Sequence, residues 1–228
     1  MKLEIEVRNI KKSYGKKKVL NSVSFKVEKG KVVGIFGPSG CGKTTFLEII
    51  SGLKRPDGGK VYLRGKKVNG KNVFVPPEKR RVGFIFQDLA LWPHMSVKEH
   101  LDFVSSDEKT KRKILKLLGL DKLKDRKPDE LSGGEKQKLA IARCLAQGSD
   151  ILLMDEPFSS LDIKSKKKII ETFLELRKKF NLTILYVSHE ILEIVKFCDK
   201  VLILENGKIT ASVRPRDLFK KVKKIIQL

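Results

Sequence analysis

The chain has 228 residues, 40% of them hydrophobic, and carries 50 Lys and Arg against 27 Asp and Glu for a formal net charge of +23. That length and apolar content predict a globular fold of one large domain or two small ones, and no run approaches the roughly 20 apolar residues that span a bilayer. The charge suits nucleic acid, an anionic membrane surface or an anionic substrate, yet it falls in short groups such as Lys16 to Lys18 and Lys166 to Lys168 that read more simply as solvated faces. The opening MKLEIEVRNI alternates like a strand and lacks a signal peptide's apolar block, so synthesis and residence in the cytoplasm are expected. Cys41, Cys144 and Cys198 are widely spaced, with no CxxC or Cys/His cluster, and suggest neither a disulfide framework nor a zinc site.

In chain order, Leu3 to Arg8, Val19 to Val27 and Lys31 to Phe36 read as short strands. The last feeds GPSGCGKTT (Gly37 to Thr45), and Thr44 to Ile50 is helical up to Gly52. KRPDGGKVYLRGKKV supplies turn signals around another strand, and RRVGFIFQ is an apolar strand ending at Gln87. From Ser96 to Leu120 the pattern turns helical, with Ser96 and Glu99 at capping-box spacing, and Leu89 to Pro128 reads as a small helical insertion. There follow a helix (Gly134 to Gln147), a buried strand (Ile151 to Met154), a helix (Ile163 to Phe180), a strand (Leu182 to Val187) and a helix (Glu190 to Phe197). Strands apolar throughout and alternating with helices predict a largely parallel sheet covered on both faces. The tail PRDLFKKVKKIIQL sets Leu218, Phe219, Val222, Ile225 and Ile226 on one helical face with lysines opposite, a pattern for a membrane surface or for packing on its own domain.

GPSGCGKT fits GxxxxGK[ST], with the strand before it and the helix after it that such a loop requires. Its glycines let backbone N–H groups curl around phosphates, Lys43 reaches the β and γ groups, and the Thr44 hydroxyl ligates Mg²⁺. Cys41 is a filler in this loop or a reactive thiol. ILLMDEP brings an apolar strand up to Asp155 and Glu156: Asp155 would hold the Mg²⁺ shell and Glu156 would orient and polarise the attacking water. Neighbouring strand residues face opposite ways, so both serve one site only if the strand ends there, and Pro157 supplies the ending. Gln87 and His189 each follow an apolar strand, which would place Gln87 in the Mg²⁺ or water network and His189 on the γ-phosphate. Ser132, Gly133 and Gly134 open a second anion-binding helix start that has no lysine loop of its own. It is either a serine-capped turn or the completion of a site on another molecule.

Tyr14, GPSGCGKTT, Gln87, LSGGEKQ, ILLMDEP, SSLD and His189, in this order from about Lys2 to past Val213, resemble the ATPase subunit of an ATP-binding-cassette transporter. LSGG joined to the other motifs is specific, whereas the phosphate loop alone is shared by unrelated families. The resemblance implies an α/β fold of the P-loop NTPase type: a mainly parallel core sheet, an N-terminal antiparallel β subdomain and a helical subdomain at about 89–148, all within a single domain over 1–228. It implies that ATP and Mg²⁺ are held by Gly37, Pro38, Ser39, Gly40, Cys41, Gly42, Lys43, Thr44 and Thr45, with Tyr14 stacking on adenine beside Val19. It further implies that two subunits stack head to tail, so that Ser132, Gly133 and Gly134 cap the γ-phosphate held by the other chain and Asp162 links the two sites. Glu135 departs from the family's usual Gln, which puts its side-chain contacts in question.

LALWPHMSVKEHL resembles the importer segment that receives the coupling helix of a membrane partner, and DRKPDELSGG stands where exporters often carry a TxVGExG-like stretch. The implied protein is an importer-type subunit, peripheral on the cytoplasmic face of the membrane. Its implied partners are a second cassette in a homodimer or heterodimer, separate permease subunits and a substrate-binding protein, with no nucleic acid. The C-terminal regulatory domain of some sugar-importer subunits is expected to be absent. The competing reading is a soluble cassette ATPase acting on DNA or ribosomes, which the charge supports but which lacks a coiled-coil insertion, a zinc-hook CxxC or a tandem cassette. A small-molecule kinase would leave LSGGEKQ without a job.

Overall fold

In the computed structural model, which describes residues 2–218, Leu3–Tyr14 (β1) and Lys17–Glu28 (β2) form a long antiparallel hairpin. It outruns the expected strands because register shifts accompany Asn9 (φ 52°) and Ser22 (φ 62°), so the ribbon bends and keeps pairing to Tyr14. Val32–Phe36 (β3) leads through the glycine loop into Lys43–Ser51 (α1), capped at its end by Gly52. The following stretch yields two strands rather than one, Gly58–Leu63 (β4) and Lys66–Gly70 (β5), because Arg64 and Gly65 both take positive φ and close a tight turn. Val73–Phe74 (β6) and Val82–Ile85 (β7) complete this half.

The helical run breaks in two, Val97–Val104 (α2) and Glu108–Leu118 (α3), where Ser105 turns extended and Asp107 caps the second helix by accepting from the Thr110 amide. Ser96 and Glu99 form the expected capping box. Then come Gly133–Ala146 (α4), Ile151–Asp155 (β8), Ile163–Phe180 (α5), Thr183–Val187 (β9) and Ile191–Phe197 (α6). A closing hairpin, Lys200–Glu205 (β10) and Lys208–Val213 (β11), is absent from the expectations above. Its signal is Asn206-Gly207, both at positive φ between two strands. The tail from Phe219 onward lies outside the described residues. Among the described residues no helix is long and apolar enough to cross a membrane.

One sheet runs β2-β1-β4-β5-β6 and is antiparallel; the other runs β11-β10-β3-β9-β8-β7 and is parallel from β10 to β7. The strands of the second sheet are buried on both faces by simple alternation. Ile151, Leu153, Leu185 and Val187 join a core with α1 and the antiparallel sheet, through Phe46, Leu47, Ile49, Ile50, Ile5 and Val61. Leu152, Met154, Ile184 and Tyr186 face a second core with the α4, α5 and α6 residues Leu139, Phe173 and Phe197. This explains why the strand sequences are apolar without interruption.

Helix α1 carries Lys43, and its far end is fixed by Arg80, which is 3% exposed. The Arg80 guanidinium donates to the last-turn carbonyls of Ile49 and Ile50, both at 2.9 Å, to Val75 O at 2.7 Å and to Val68 O at 3.3 Å. A cation belongs at a helix C-terminus. With no carboxylate beside it among the described residues, burial pulls the Arg80 pKa down to about 10. Arg80→Met should lower unfolding free energy in urea by about 3 kcal/mol, because Ile50 O and Val75 O lose a buried charged donor while Ile49 O and Val68 O keep only the Gly52 and Val75 amides.

Candidate active site

The loop between β3 and α1 closes on itself through backbone. Gly37 leaves no room for a side chain, since a Cβ there would meet Leu204 O at 2.1 Å, and Gly42 caps α1 at φ 104°, a conformation suited to glycine. Gly42 offers no side-chain cap and the first turn of α1 holds no acidic residue, so the first amides of the helix and its positive dipole end are available to an anion. Lys43 donates from Nζ to Gly37 O and to Pro38 O, both at 2.9 Å, and so spans the loop from helix to strand. Cys41 is buried, its amide donates to Pro38 O, and burial pushes its thiol up, the surroundings of a structural rather than a reactive cysteine.

A cleft of about 300 Å³ opens over this loop, lined by Tyr14, Val19, Ser39, Gly40, Gly42, Lys43, Thr44, Thr45 and Glu156. Tyr14 ends β1 with 45% exposure, flanked by the ammonium groups of Lys12 and Lys54 at 5.6 and 5.4 Å from its ring. Asp155 is the last residue of β8 and is buried; Glu156 follows at φ 44°. That left-handed turn answers the facing problem of adjacent strand residues, because it re-aims Glu156 into the same cleft. The turn is held by the Glu156 amide donating to Val187 O at 3.0 Å and, on its far side, by Gln137 of α4, whose buried amide donates to Pro157 O at 2.5 Å. Gln137 closes the LSGGEKQ stretch and lies on the buried face of the helix, but nothing in that stretch marks it as the support of the Glu156 turn.

His189 lies just past β9, with Nδ1 2.9 Å from Glu156 Oε2. Gln87 does not join them. It sits in an exposed turn after β7, the edge strand, with β8 and β9 between it and the glycine loop.

Ser132, Gly133 and Gly134 occupy a different cleft of about 430 Å³, together with Asp162, Leu161, Ser165, Lys138 and Lys168. Among the described residues none lines both clefts. Ser132 caps α4 in a capping box with Glu135: the Glu135 carboxylate accepts from the Ser132 amide at 2.8 Å and from its hydroxyl at 2.7 Å. The Ser132 hydroxyl bond is the main cause that lowers the Glu135 pKa. The residue that departs from the usual signature thus places its own anion at this helix start. Asp162 caps α5 by accepting from the Lys164 and Ser165 amides at 2.9 and 3.1 Å.

Residues 20–159 match the family described as ABC transporter. A sulfate/thiosulfate import ATP-binding protein of Pectobacterium atrosepticum is 37% identical over 229 residues, 95% of this chain and 68% of that protein. A spermidine/putrescine import ATP-binding protein of Legionella pneumophila is 38% identical over 223 residues, which span 94% of this chain and 60% of that protein. Among solved structures, the ATP-binding cassette MJ0796, in a dimeric post-hydrolysis state bound to ADP and Pi, aligns with a TM-score of 0.79 and 32% identity over 93% of this chain and 99% of that chain. Phosphate loop, strand-end carboxylates and signature helix therefore stand in a fold shared across nearly the whole length: the chain belongs to the ABC transporter family and is an ATP-hydrolysing cassette.

Proposed function

We propose that two cassettes stack head to tail around two ATP molecules and that their closure and reopening drive a separate membrane permease. The observation that carries this reading is the division of the anion-binding groups between two clefts with no residue in common. A helix start shaped for an anion but lacking a lysine loop finds its use against the loop of a second chain. The dimeric form of MJ0796 supports the pairing of two cassettes.

Within each site, Tyr14 beside Val19 stacks on the base, and the glycine loop with Lys43 binds the phosphates. The Thr44 hydroxyl and the Asp155 carboxylate are hard oxygen donors of the kind Mg²⁺ takes. Their fit has a physical sign: burial raises the Asp155 pKa and the Glu156 charge adds to it, outweighing the hydrogen bond from Thr44 and the charge of Lys43. A cation relieves that cost. Among the described residues no group of three or more His, Cys, Asp or Glu is arranged to hold a metal ion by itself, and a cation shared with substrate phosphates needs none. Bound there, Mg²⁺ supplies charge neutralisation on the phosphates. Glu156 orients the attacking water and His189, now paired with it, meets the γ-phosphate. Gln87 enters the metal or water network when the two chains close, and Ser132, Gly133 and Gly134 of each chain complete the other's site, with Asp162 linking the two.

The permease contact falls on the segment after Gln87. Trp92 packs on His100, Phe103 and the Arg143 guanidinium, and Phe103 is 66% exposed beside it. Arg143 holds this turn by donating to Ala90 O and Leu89 O. The names of the relatives favour import, and a substrate-binding protein and a place on the cytoplasmic face of the membrane complete the proposed arrangement. Cargo is chosen by those partners, since relatives equally similar to this chain are named for sulfate/thiosulfate and for spermidine/putrescine, which carry opposite charges.

Glu156→Gln should trap an ATP-bound dimer by size-exclusion chromatography and cut turnover at least about 10²-fold; a monomer with normal turnover contradicts the assignment. Ser132→Arg should abolish turnover while fluorescent-nucleotide binding to the loop changes by less than about twofold. An acid with a raised folded pKa costs no stability below its unfolded value and its full penalty above its folded value. Asp155→Asn should therefore raise the melting temperature of nucleotide-free protein at neutral pH by roughly 2–4 °C, and leave it unchanged at acid pH, while Mg²⁺-dependent turnover is lost.

A further inference from the structure

Beneath the His189 turn lies a buried group of ionisable side chains that no role above uses. Glu193 on α6 is 6% exposed and accepts from the Ser188 hydroxyl at 2.7 Å and from the Tyr186 hydroxyl. Lys166 on α5 lies 3.1 Å from its other oxygen, an ion pair outside hydrogen-bond geometry, and also pairs with Glu190. The Ser188 hydroxyl in turn accepts the Glu190 amide at 3.0 Å. The residues on both sides of His189 are thus tied to one carboxylate. Through Lys166, whose amide donates to Asp162 O at 2.9 Å, that carboxylate is also tied to the first turn of α5 in the second cleft.

Stability alone does not call for such a network. A buried ion pair roughly breaks even against an apolar contact of the same size, whereas it fixes orientation in a way an apolar contact does not. The His189 side chain is 59% exposed and, among the described residues, its hydrogen bond is to Glu156, so its place depends on the backbone beneath it.

We propose that Glu193 is a positioning residue for His189: with Ser188 and Lys166 it sets where the imidazole stands and ties that position to α5 and Asp162. The inference rests on the reading that His189 meets the γ-phosphate in the closed dimer. Loss of the network should misplace the imidazole without touching the loop that binds nucleotide.

Ser188→Ala and Glu193→Gln should each lower kcat about tenfold, with ATP half-saturation moved by less than about twofold. In nucleotide-free protein, hydrogen exchange of the amides over 188–191 should quicken in both variants. Ser188→Thr keeps the hydroxyl and should restore kcat. Unchanged kcat in folded Ser188→Ala overturns the proposal, as does a loss that Ser188→Thr shares. Should Glu193→Gln fail to fold, the two Ser188 variants decide the matter. His189→Ala separates the two readings: full turnover in that variant removes the role of His189 itself, whereas an inactive His189→Ala beside a fully active Ser188→Ala removes only the positioning role.

Discussion

The site hangs on the parallel register of β3, β9 and β8. Val32 pairs with Ile184 and Ile151 with Thr183, so Phe36, Val187 and Asp155 reach the same edge of the sheet. Beyond that edge the three chains diverge into the glycine loop, the His189 turn and the Glu156 turn. No side chain has to travel far. What the sheet cannot supply, the backbone does: a side-chain-free approach at Gly37 and left-handed turns at Gly42 and Glu156. The conformation at Glu156 is strained by about 1–3 kcal/mol for a residue with a Cβ, and it persists between two supports, Val187 O on one side and the Gln137 amide on the other. Gln137 belongs to the helix that Ser132 opens, so the turn bearing Glu156 and the second cleft share a rigid element.

Charge accounts for much of the remaining design. Asp155 is buried at an energetic cost, beside a loop built to receive anions and a lysine that spans it. The second cleft has its own carboxylate, Glu135, held at the start of α4 by the Ser132 amide and hydroxyl, with Lys138 and Lys168 lining the same space. In the proposed head-to-tail pair, a phosphate reaching this cleft would compete with Glu135 for Ser132 and be drawn by the two lysines. The wider net charge of +23 repels like chains, which makes nucleotide a natural mediator of their approach.

Much of this was legible in the sequence because local rules and global fold agree. The strand, glycine loop and helix around Lys43, the capping box at Ser96, the serine cap at Ser132, and the apolar run before Asp155 each follow from residue type and spacing. The extent of the first hairpin was not, since bulges at Asn9 and Ser22 are tertiary choices that polar residues leave open. The hairpin at Asn206-Gly207 had a local signal in that Asn-Gly pair between two apolar runs. Arg80, Gln137 and Glu193 are different. Their partners are backbone carbonyls or groups brought near only by folding, so a lone Arg or Glu carries no mark of burial and even Gln137, at the end of LSGGEKQ, carries no mark of the carbonyl it holds. Gln87 shows the converse, a residue whose place after an apolar strand suggests the site while its edge strand keeps it outside the cleft.

The central claim is that one nucleotide is enclosed by parts of two chains. Mixing a chain carrying Lys43→Ala with one carrying Ser132→Arg, both in the Glu156→Gln background, tests it most directly, because a shared site leaves one of the two positions intact in the mixed dimer. Retained ATP should be well above the sum of the two chains measured separately. Retention equal to that sum would mean that each chain builds its site alone.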